Sequence, residues 1–129
     1  MDYKFLMDKA IEVSKNTYSP YSNFPVGACV LTENNKTYVG CNFENSSYGL
    51  TICAERNAVG SAIADGEKII KAIAIYSPNL ELCHPCGACR QWIHESARGY
   101  DTKIILSGKD EEICIYGIND ILPYAFDLI

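Results

Sequence analysis

The fold of this chain is decided by the stretch Thr51-Ile52-Cys53-Ala54-Glu55-Arg56-Asn57-Ala58, together with the later segment Pro85-Cys86-Gly87-Ala88-Cys89-Arg90-Gln91. Zinc in proteins takes thiolate, imidazole and carboxylate ligands in a tetrahedron, and a catalytic zinc keeps one position open beside three protein ligands. Three thiolates are offered by Cys53, Cys86 and Cys89. We therefore predict that these cysteines bind one Zn²⁺ per chain.

Both segments have the features of helix N-termini. Thr51 offers an N-cap hydroxyl ahead of a run of good helix formers. Pro85 disfavours helical geometry at His84 and suits the entry to a helix, which puts Cys86 and Cys89 on one face of a first turn. Two positive helix ends would then face the thiols and favour the thiolate form and metal binding.

Glu55 is the residue that leads us to predict an enzyme at this metal site. It stands two positions after Cys53, so its carboxylate could reach a zinc-bound water without binding the metal. A carboxylate in that place can take a proton from the water and pass it on. A three-cysteine zinc site with a Glu that is not a ligand is the arrangement found in zinc deaminases.

Four segments in the right order resemble the small homotetrameric cytidine deaminases, and the resemblance covers nearly the whole chain. Besides the two metal segments, they are Phe24-Pro25-Val26-Gly27-Ala28 and Gly40-Cys41-Asn42-Phe43-Glu44-Asn45, with Leu122-Pro123 and Phe126 near the end. The family implies a hydrolase of pyrimidine salvage. It would convert cytidine and deoxycytidine to uridine and deoxyuridine, releasing ammonia after zinc-activated water attack at C4, with Glu55 as the catalytic group.

The resemblance also implies the substrate contacts. Asn42 and Glu44 would hydrogen-bond the ribose, mainly at its 3′ side, and Phe24 would pack on the pyrimidine. The backbone of Ala54 would help to hold the base. Two aromatic residues would complete a neighbouring subunit's site in a homotetramer, namely Tyr48 and Phe126.

Arg56 has a role that charge alone predicts. Three thiolates on Zn²⁺ leave a net negative centre, which weakens the metal's ability to acidify water. An Arg next to Glu55 could donate to a thiolate sulfur and offset that charge, and the family points the same way. Gln91 is predicted to act as a similar supporting group.

Composition narrows the class of protein. The 129 residues predict a single catalytic domain spanning 1–129, with no membrane span and no signal peptide. The formal charge of −5 argues against a nucleic-acid partner and favours a neutral nucleoside. The seven cysteines of a chain without an export signal are expected to be reduced, as in the cytoplasm.

The order of patterns predicts an α/β fold: a three-layer α/β/α sandwich around a single mixed sheet of about five strands. We expect helices at 2–16, from Cys53 to about 66, at 86–97 and at 118–122, and strands at 26–32, 37–42, 69–76, 102–106 and 113–116.

Three alternatives stay open. Cys83 could join the three cysteines in a closed Cys₄ zinc site of a non-catalytic binding domain, although Pro85 should turn it away. The Cys86–Cys89 pair could be a redox dithiol, which would leave Cys53 and Glu55 unexplained. A related zinc deaminase could act on another aminopyrimidine nucleoside, such as a nucleoside antibiotic, or on a base in RNA or DNA. The nucleic-acid enzymes usually carry His in place of Cys53.

Overall fold

The structure, a computed structural model, describes residues 2–128. Five strands form one mixed sheet in the spatial order β2-β1-β3-β4-β5. Strand β1 runs antiparallel to β2 and β3, β3 is parallel to β4, and β4 is antiparallel to β5. The predicted sheet is confirmed, and its strands are β1 (Gly27–Thr32), β2 (Thr37–Cys41), β3 (Ile70–Tyr76), β4 (Lys103–Ser107) and β5 (Ile113–Gly117).

The helices follow the predicted order with small changes at their ends. The α-helices are α1 (Lys4–Val13), α2 (Ala54–Ala64), α3 (Gly87–Ala97) and the short α4 (Ile118–Ile121). Short 3₁₀ turns cover Ser14–Asn16, Tyr48–Leu50 and Lys109–Glu111. None of the helices within residues 2–128 is long and apolar enough to cross a membrane.

The two faces of the sheet bury separate apolar clusters. Alternate residues of a strand point to opposite faces, so Cys29 and Leu31 of β1 pack with Leu6 of α1. Ala28 and Val30 pack on the other face with residues of α2 and α3. Helix α1 therefore covers one face and α2 and α3 cover the other, which confirms the three-layer sandwich.

Gly40 sets the distance between β2 and α2. A Cβ atom at this position would lie 2.4 Å from the backbone nitrogen of Ala58 and 2.6 Å from the carbonyl oxygen of Ala54. Only a residue without a side chain permits this approach. The first turn of α2, which begins one residue after Cys53, is thereby seated directly on the sheet.

The predicted N-cap of α2 is wrong. The N-cap residue is Cys53, and Thr51 lies two residues outside the helix with its hydroxyl accepting the N–H of Asn45 at 3.3 Å. The cause is an isolated antiparallel bridge between Phe43 and Ile52, which keeps the chain extended up to Cys53. Helix α3 likewise starts one residue later than predicted, with Cys86 as its N-cap.

Candidate metal centre and active site

Three cysteine sulfurs meet where α2 and α3 begin. The Sγ atoms of Cys53, Cys86 and Cys89 all lie within 4.8 Å of one another. Cys53 and Cys86 are the two N-cap residues, and neither makes a side-chain cap hydrogen bond. Cys89 lies in the first turn of α3 and is fully buried. A set of three sulfur donors suits Zn²⁺ with a further position open, so the residues present fit the metal.

Negative charge concentrates on Cys53. A hydrogen bond from the Cys89 thiol lowers the pKa of Cys53 to about 5, and the neighbouring Arg56 adds to the effect. The Cys53 thiolate in turn raises the pKa of Cys89. One guanidinium nitrogen of Arg56, Nη2, lies 3.6 Å from Cys53 Sγ and donates to the carbonyl of Thr51 at 3.1 Å. The structure therefore places a cation against a metal-ligand sulfur, where the charge argument expects it.

Glu55 is a buried carboxyl beside this centre. It is only 6% exposed. Burial raises the pKa of Glu55 to about 7, with the charge of Cys53 adding to the effect and a hydrogen bond with Cys89 opposing it. A carboxyl group with a pKa near neutrality can both accept and donate a proton at physiological pH. The geometry thus supplies a proton carrier next to the three sulfurs.

Cys83 lies apart from the three sulfurs. Within residues 2–128, the cysteine cluster that could hold a metal contains Cys53, Cys86 and Cys89 but not Cys83. Burial raises the pKa of Cys83 to about 11, and the charge of Glu55 adds to the rise. The side chain belongs to the apolar cluster on the α2 and α3 face of the sheet. The closed Cys₄ arrangement is therefore not formed.

A cavity of about 410 Å³ opens beside Glu44, and we call it the Glu44 cavity; its lining residues are Tyr21, Ser22, Glu44, Tyr48 and Thr51. The Tyr48 side chain is 75% exposed, and its ring stands edge-on to that of Tyr21 with centroids 6.0 Å apart. Two residues that the sequence assigned to the substrate, Glu44 and Tyr48, are thus brought together at one opening.

Asn42 is buried and already holds the neighbouring loop in place. Its Oδ1 accepts the N–H of Val26 at 2.9 Å and the hydroxyl of Thr17 at 2.6 Å, and its Nδ2 donates to the carbonyl of Phe24 at 2.9 Å. The Phe24 ring is partly buried and packs on the same apolar cluster as Ala54. Asn42 therefore fixes the segment that carries Phe24.

The Gln91 side chain contacts the C-terminal segment of the chain. Its amide nitrogen donates to the carbonyl oxygen of Phe126 at 2.8 Å rather than to a ligand sulfur. The Phe126 ring is 70% exposed. Gln91 lies in helix α3 and faces the C-terminal segment. His94 follows three positions later, so its side chain lies on the same side of the helix. His94 contacts Asp127 of the same segment at 2.9 Å.

Sequence reasoning missed Tyr21 and Ser22. Both backbone N–H groups donate to Glu44 Oε1, at 3.0 and 3.1 Å, and the Ser22 hydroxyl donates to Oε2. These contacts join residues more than 20 positions apart, so no local spacing could have revealed them. The available signal was only the turn-rich composition of the segment that contains them.

Comparison with known proteins decides the family. The chain matches the family model for the "cytidine and deoxycytidylate deaminase zinc-binding region" over residues 1–107. It is 40% identical over 126 residues to a cytidine deaminase of Halalkalibacterium halodurans, a match that covers 98% of this chain and 95% of the relative. The chain belongs to this deaminase family. A probable cytidine deaminase of Dictyostelium discoideum is 45% identical over 125 residues, covering 93% of this chain and 83% of that protein.

Solved structures of the deaminase family have the same fold. A crystal structure of cytidine deaminase from Burkholderia pseudomallei superposes with a TM-score of 0.90 at 38% identity, covering 98% of this chain and all of that one. The zinc-binding region of the deaminase family, residues 1–107, contains Cys53, Glu55, Cys86 and Cys89. Zinc is therefore the metal that this family brings to the three-sulfur centre.

Proposed function

We propose that this chain is a zinc-dependent cytidine deaminase, a hydrolase of pyrimidine salvage that converts cytidine and deoxycytidine to uridine and deoxyuridine with release of ammonia. The observation that carries the proposal is the buried Glu55 carboxyl beside three clustered sulfurs. Relatives that match this chain over nearly their whole length are named cytidine deaminases. We further propose that residues 1–129 act as one catalytic domain.

The three cysteines would hold the metal. When bound, Zn²⁺ supplies a Lewis acid that acidifies a water molecule at its open position. The Arg56 cation lies against Cys53 Sγ and offsets part of the thiolate charge that would otherwise weaken this effect. The burial of Glu55 keeps its carboxyl away from bulk water.

Glu55 would carry the protons. It accepts one proton from the attacking water and delivers it to N3 of the pyrimidine, which makes C4 more electrophilic as the oxygen bonds to it. Glu55 then moves the remaining hydroxyl proton to the amino nitrogen while the C4–N4 bond breaks. Ammonia leaves, a carbonyl forms at C4, and Glu55 returns to its starting charge. A pKa of about 7 suits both directions of transfer.

We propose contacts to both the base and the ribose of the substrate. Phe24 packs on the pyrimidine, and the backbone of Ala54 at the start of α2 holds the base edge. Asn42 and Glu44 hydrogen-bond the ribose. The ionised Glu44 at the cavity supports this role, because a carboxylate accepts hydrogen bonds from hydroxyl groups and repels phosphate.

A homotetramer is proposed as the working assembly. The support is a set of apolar side chains that stand more than half exposed in one chain, namely Tyr48, Leu50, Tyr124, Phe126 and Leu128. Tyr48 and Phe126 would then complete a neighbouring subunit's site. We also propose a cytoplasmic location, which the free state of all seven cysteines supports.

The test is loss of ultraviolet absorbance on mixing the purified protein with cytidine or deoxycytidine, run beside adenosine, single-stranded DNA and deoxycytidylate, with zinc per chain measured on the same sample. We expect turnover of cytidine and deoxycytidine alone and about one zinc per chain. Glu55→Gln is the matched variant, because it keeps the shape of the side chain without its proton chemistry. It should retain zinc and lose about 10²- to 10⁴-fold in kcat.

Three other results would contradict parts of the proposed function. Zinc without any cytidine turnover would favour a non-catalytic zinc domain. Turnover of another aminopyrimidine nucleoside in preference to cytidine would favour a related deaminase. Full activity of the Glu55→Gln variant would remove Glu55 from the mechanism.

A further inference from the structure

The carboxylate of Glu44 is held by one short segment of the loop before β1. The backbone N–H groups of Tyr21 and Ser22 both donate to Oε1, and the hydroxyl of Ser22 donates to Oε2. The Ser22 hydroxyl is the main cause that lowers the pKa of Glu44, with the two N–H donors adding to it. Glu44 is therefore an anion at neutral pH.

The hydrogen-bond count leaves one oxygen of Glu44 able to accept another donor. A carboxylate offers about four acceptor positions, two on each oxygen. Oε1 receives two donors within the loop and Oε2 receives one. The remaining position is on Oε2, the oxygen that the Ser22 hydroxyl contacts. Both residues line the Glu44 cavity, so a ligand there can reach this oxygen.

The same hydroxyl also holds the segment that carries Phe24. Its oxygen accepts the backbone N–H of Phe24 at 3.0 Å. The Phe24 carbonyl is fixed from its other side by Asn42. One hydroxyl group thus contacts both the proposed sugar-binding carboxylate and the segment that carries the proposed base-packing ring. The hydrogen bond from Asn42 still holds that segment when the hydroxyl is removed.

We propose that Ser22 is a positioning residue that determines recognition of a ribose hydroxyl, because its side chain aims Oε2 of Glu44 at the 3′-hydroxyl of a bound nucleoside. The inference rests on the proposed function in taking a nucleoside as the ligand. Ser22 itself touches no reacting atom. A ligand that presents a hydroxyl donor at this point is favoured over one that lacks it.

The experiment measures binding of the reaction products, so that it does not depend on turnover. Dissociation constants for uridine and 3′-deoxyuridine are measured by calorimetry on the zinc-loaded wild-type protein and on Ser22→Ala. We expect Ser22→Ala to weaken uridine binding about tenfold, as for loss of a hydrogen bond to a charged group. Binding of 3′-deoxyuridine should change by less than about twofold, because that ligand has no hydroxyl for Oε2.

Two further variants separate positioning from loop structure. Ser22→Thr keeps the hydroxyl and should restore most of the preference for uridine. Ser46→Ala removes a different hydrogen bond between the same loops, the 2.6 Å contact with the Tyr21 hydroxyl, and leaves the Glu44 carboxylate untouched. It should leave both dissociation constants unchanged. Ser22→Cys, whose thiol is a weak donor, repeats the test on a second side chain.

The outcomes are separable from those of the proposed function. Equal weakening of both ligands in Ser22→Ala, no weakening of either, or the same pattern in Ser46→Ala would overturn the inference. Failure of the wild-type protein to bind uridine would overturn it as well. Cytidine turnover by the wild-type protein is scored separately, so either proposal can fail while the other stands.

Discussion

The three-sulfur centre and the Glu44 cavity lie in the same chain, but the fold holds them by different means. The sulfurs are carried by the ends of two helices that are packed on the sheet, and Cys89 is fully buried. The cavity is bounded by loops, and its carboxylate is held by hydrogen bonds at an exposed surface. Chemistry that needs fixed geometry is therefore placed on rigid elements, and recognition is placed on loops that can adjust to a ligand.

The largest effect is expected at the sulfur centre. Arg56→Gln removes the cation that lies 3.6 Å from Cys53 Sγ and leaves the thiolate charge without its partner. We expect a loss of about 10- to 100-fold in kcat with cytidine, the usual cost of removing a group that supports a metal ligand. Steady-state kinetics and zinc content measure it.

Arg56→Lys is the control, because it keeps the charge but loses the planar fork. It should recover part of the lost rate. A fully active Arg56→Gln variant would show that the cation is only a structural partner for the carbonyl of Thr51.

A smaller effect is expected on the α3 side that faces the C-terminal segment. Gln91→Ala removes the 2.8 Å hydrogen bond to the Phe126 carbonyl, and His94→Ala removes the contact with Asp127. If the segment positions Phe126 for substrate, each variant should raise KM for cytidine about fivefold or less, the usual effect of one neutral hydrogen bond or of one partly exposed pair with a carboxylate. Zinc content and the mass of the assembly in solution should be unchanged.

These two variants form a matched pair, because Gln91 is two residues from Cys89 whereas His94 is more than a turn away. A loss of zinc or of kcat in Gln91→Ala alone would show that the Gln91 amide supports the sulfur centre. Equal and modest changes in KM would assign both residues to the C-terminal segment.

The smallest effect is expected at Cys83. Cys83→Ala should keep about one zinc per chain and turn over cytidine within about twofold of wild type, since the thiol is not among the clustered sulfurs. The small cavity left in the apolar cluster should cost about 1 kcal/mol in free energy of unfolding, measured by denaturant titration. Cys86→Ala is the contrasting variant and should lose the metal. Loss of zinc from Cys83→Ala would restore the Cys₄ alternative.

The same contrast explains how much the sequence could predict. The five strands and the helices follow from hydrophobic periodicity, and the Cys86–Cys89 spacing predicts two sulfurs at one helix end. Thr51 was misjudged because the bridge between Phe43 and Ile52, nine residues apart, overrides its local capping preference. The hydrogen bond from Gln91 to Phe126 could not be predicted, because residue type and proximity to Cys89 do not say on which side of a helix a partner lies.

The contacts of Ser22 could not be predicted from local sequence patterns. They depend on how the loop before β1 folds over the segment after β2, which is a matter of tertiary packing. Roles for Asn42 and Glu44 came from family resemblance, and the structure adds the neighbours that hold each side chain.

The backbone contact at Gly40 has a consequence for the metal. Because the first turn of α2 rests on β2 without any intervening side chain, the backbone contact at Gly40 sets how far the start of the helix, and with it Cys53, lies from the sheet. A methyl group at position 40, which touches no ligand, would push the start of α2 away from β2 and so move Cys53 relative to Cys86 and Cys89 on α3.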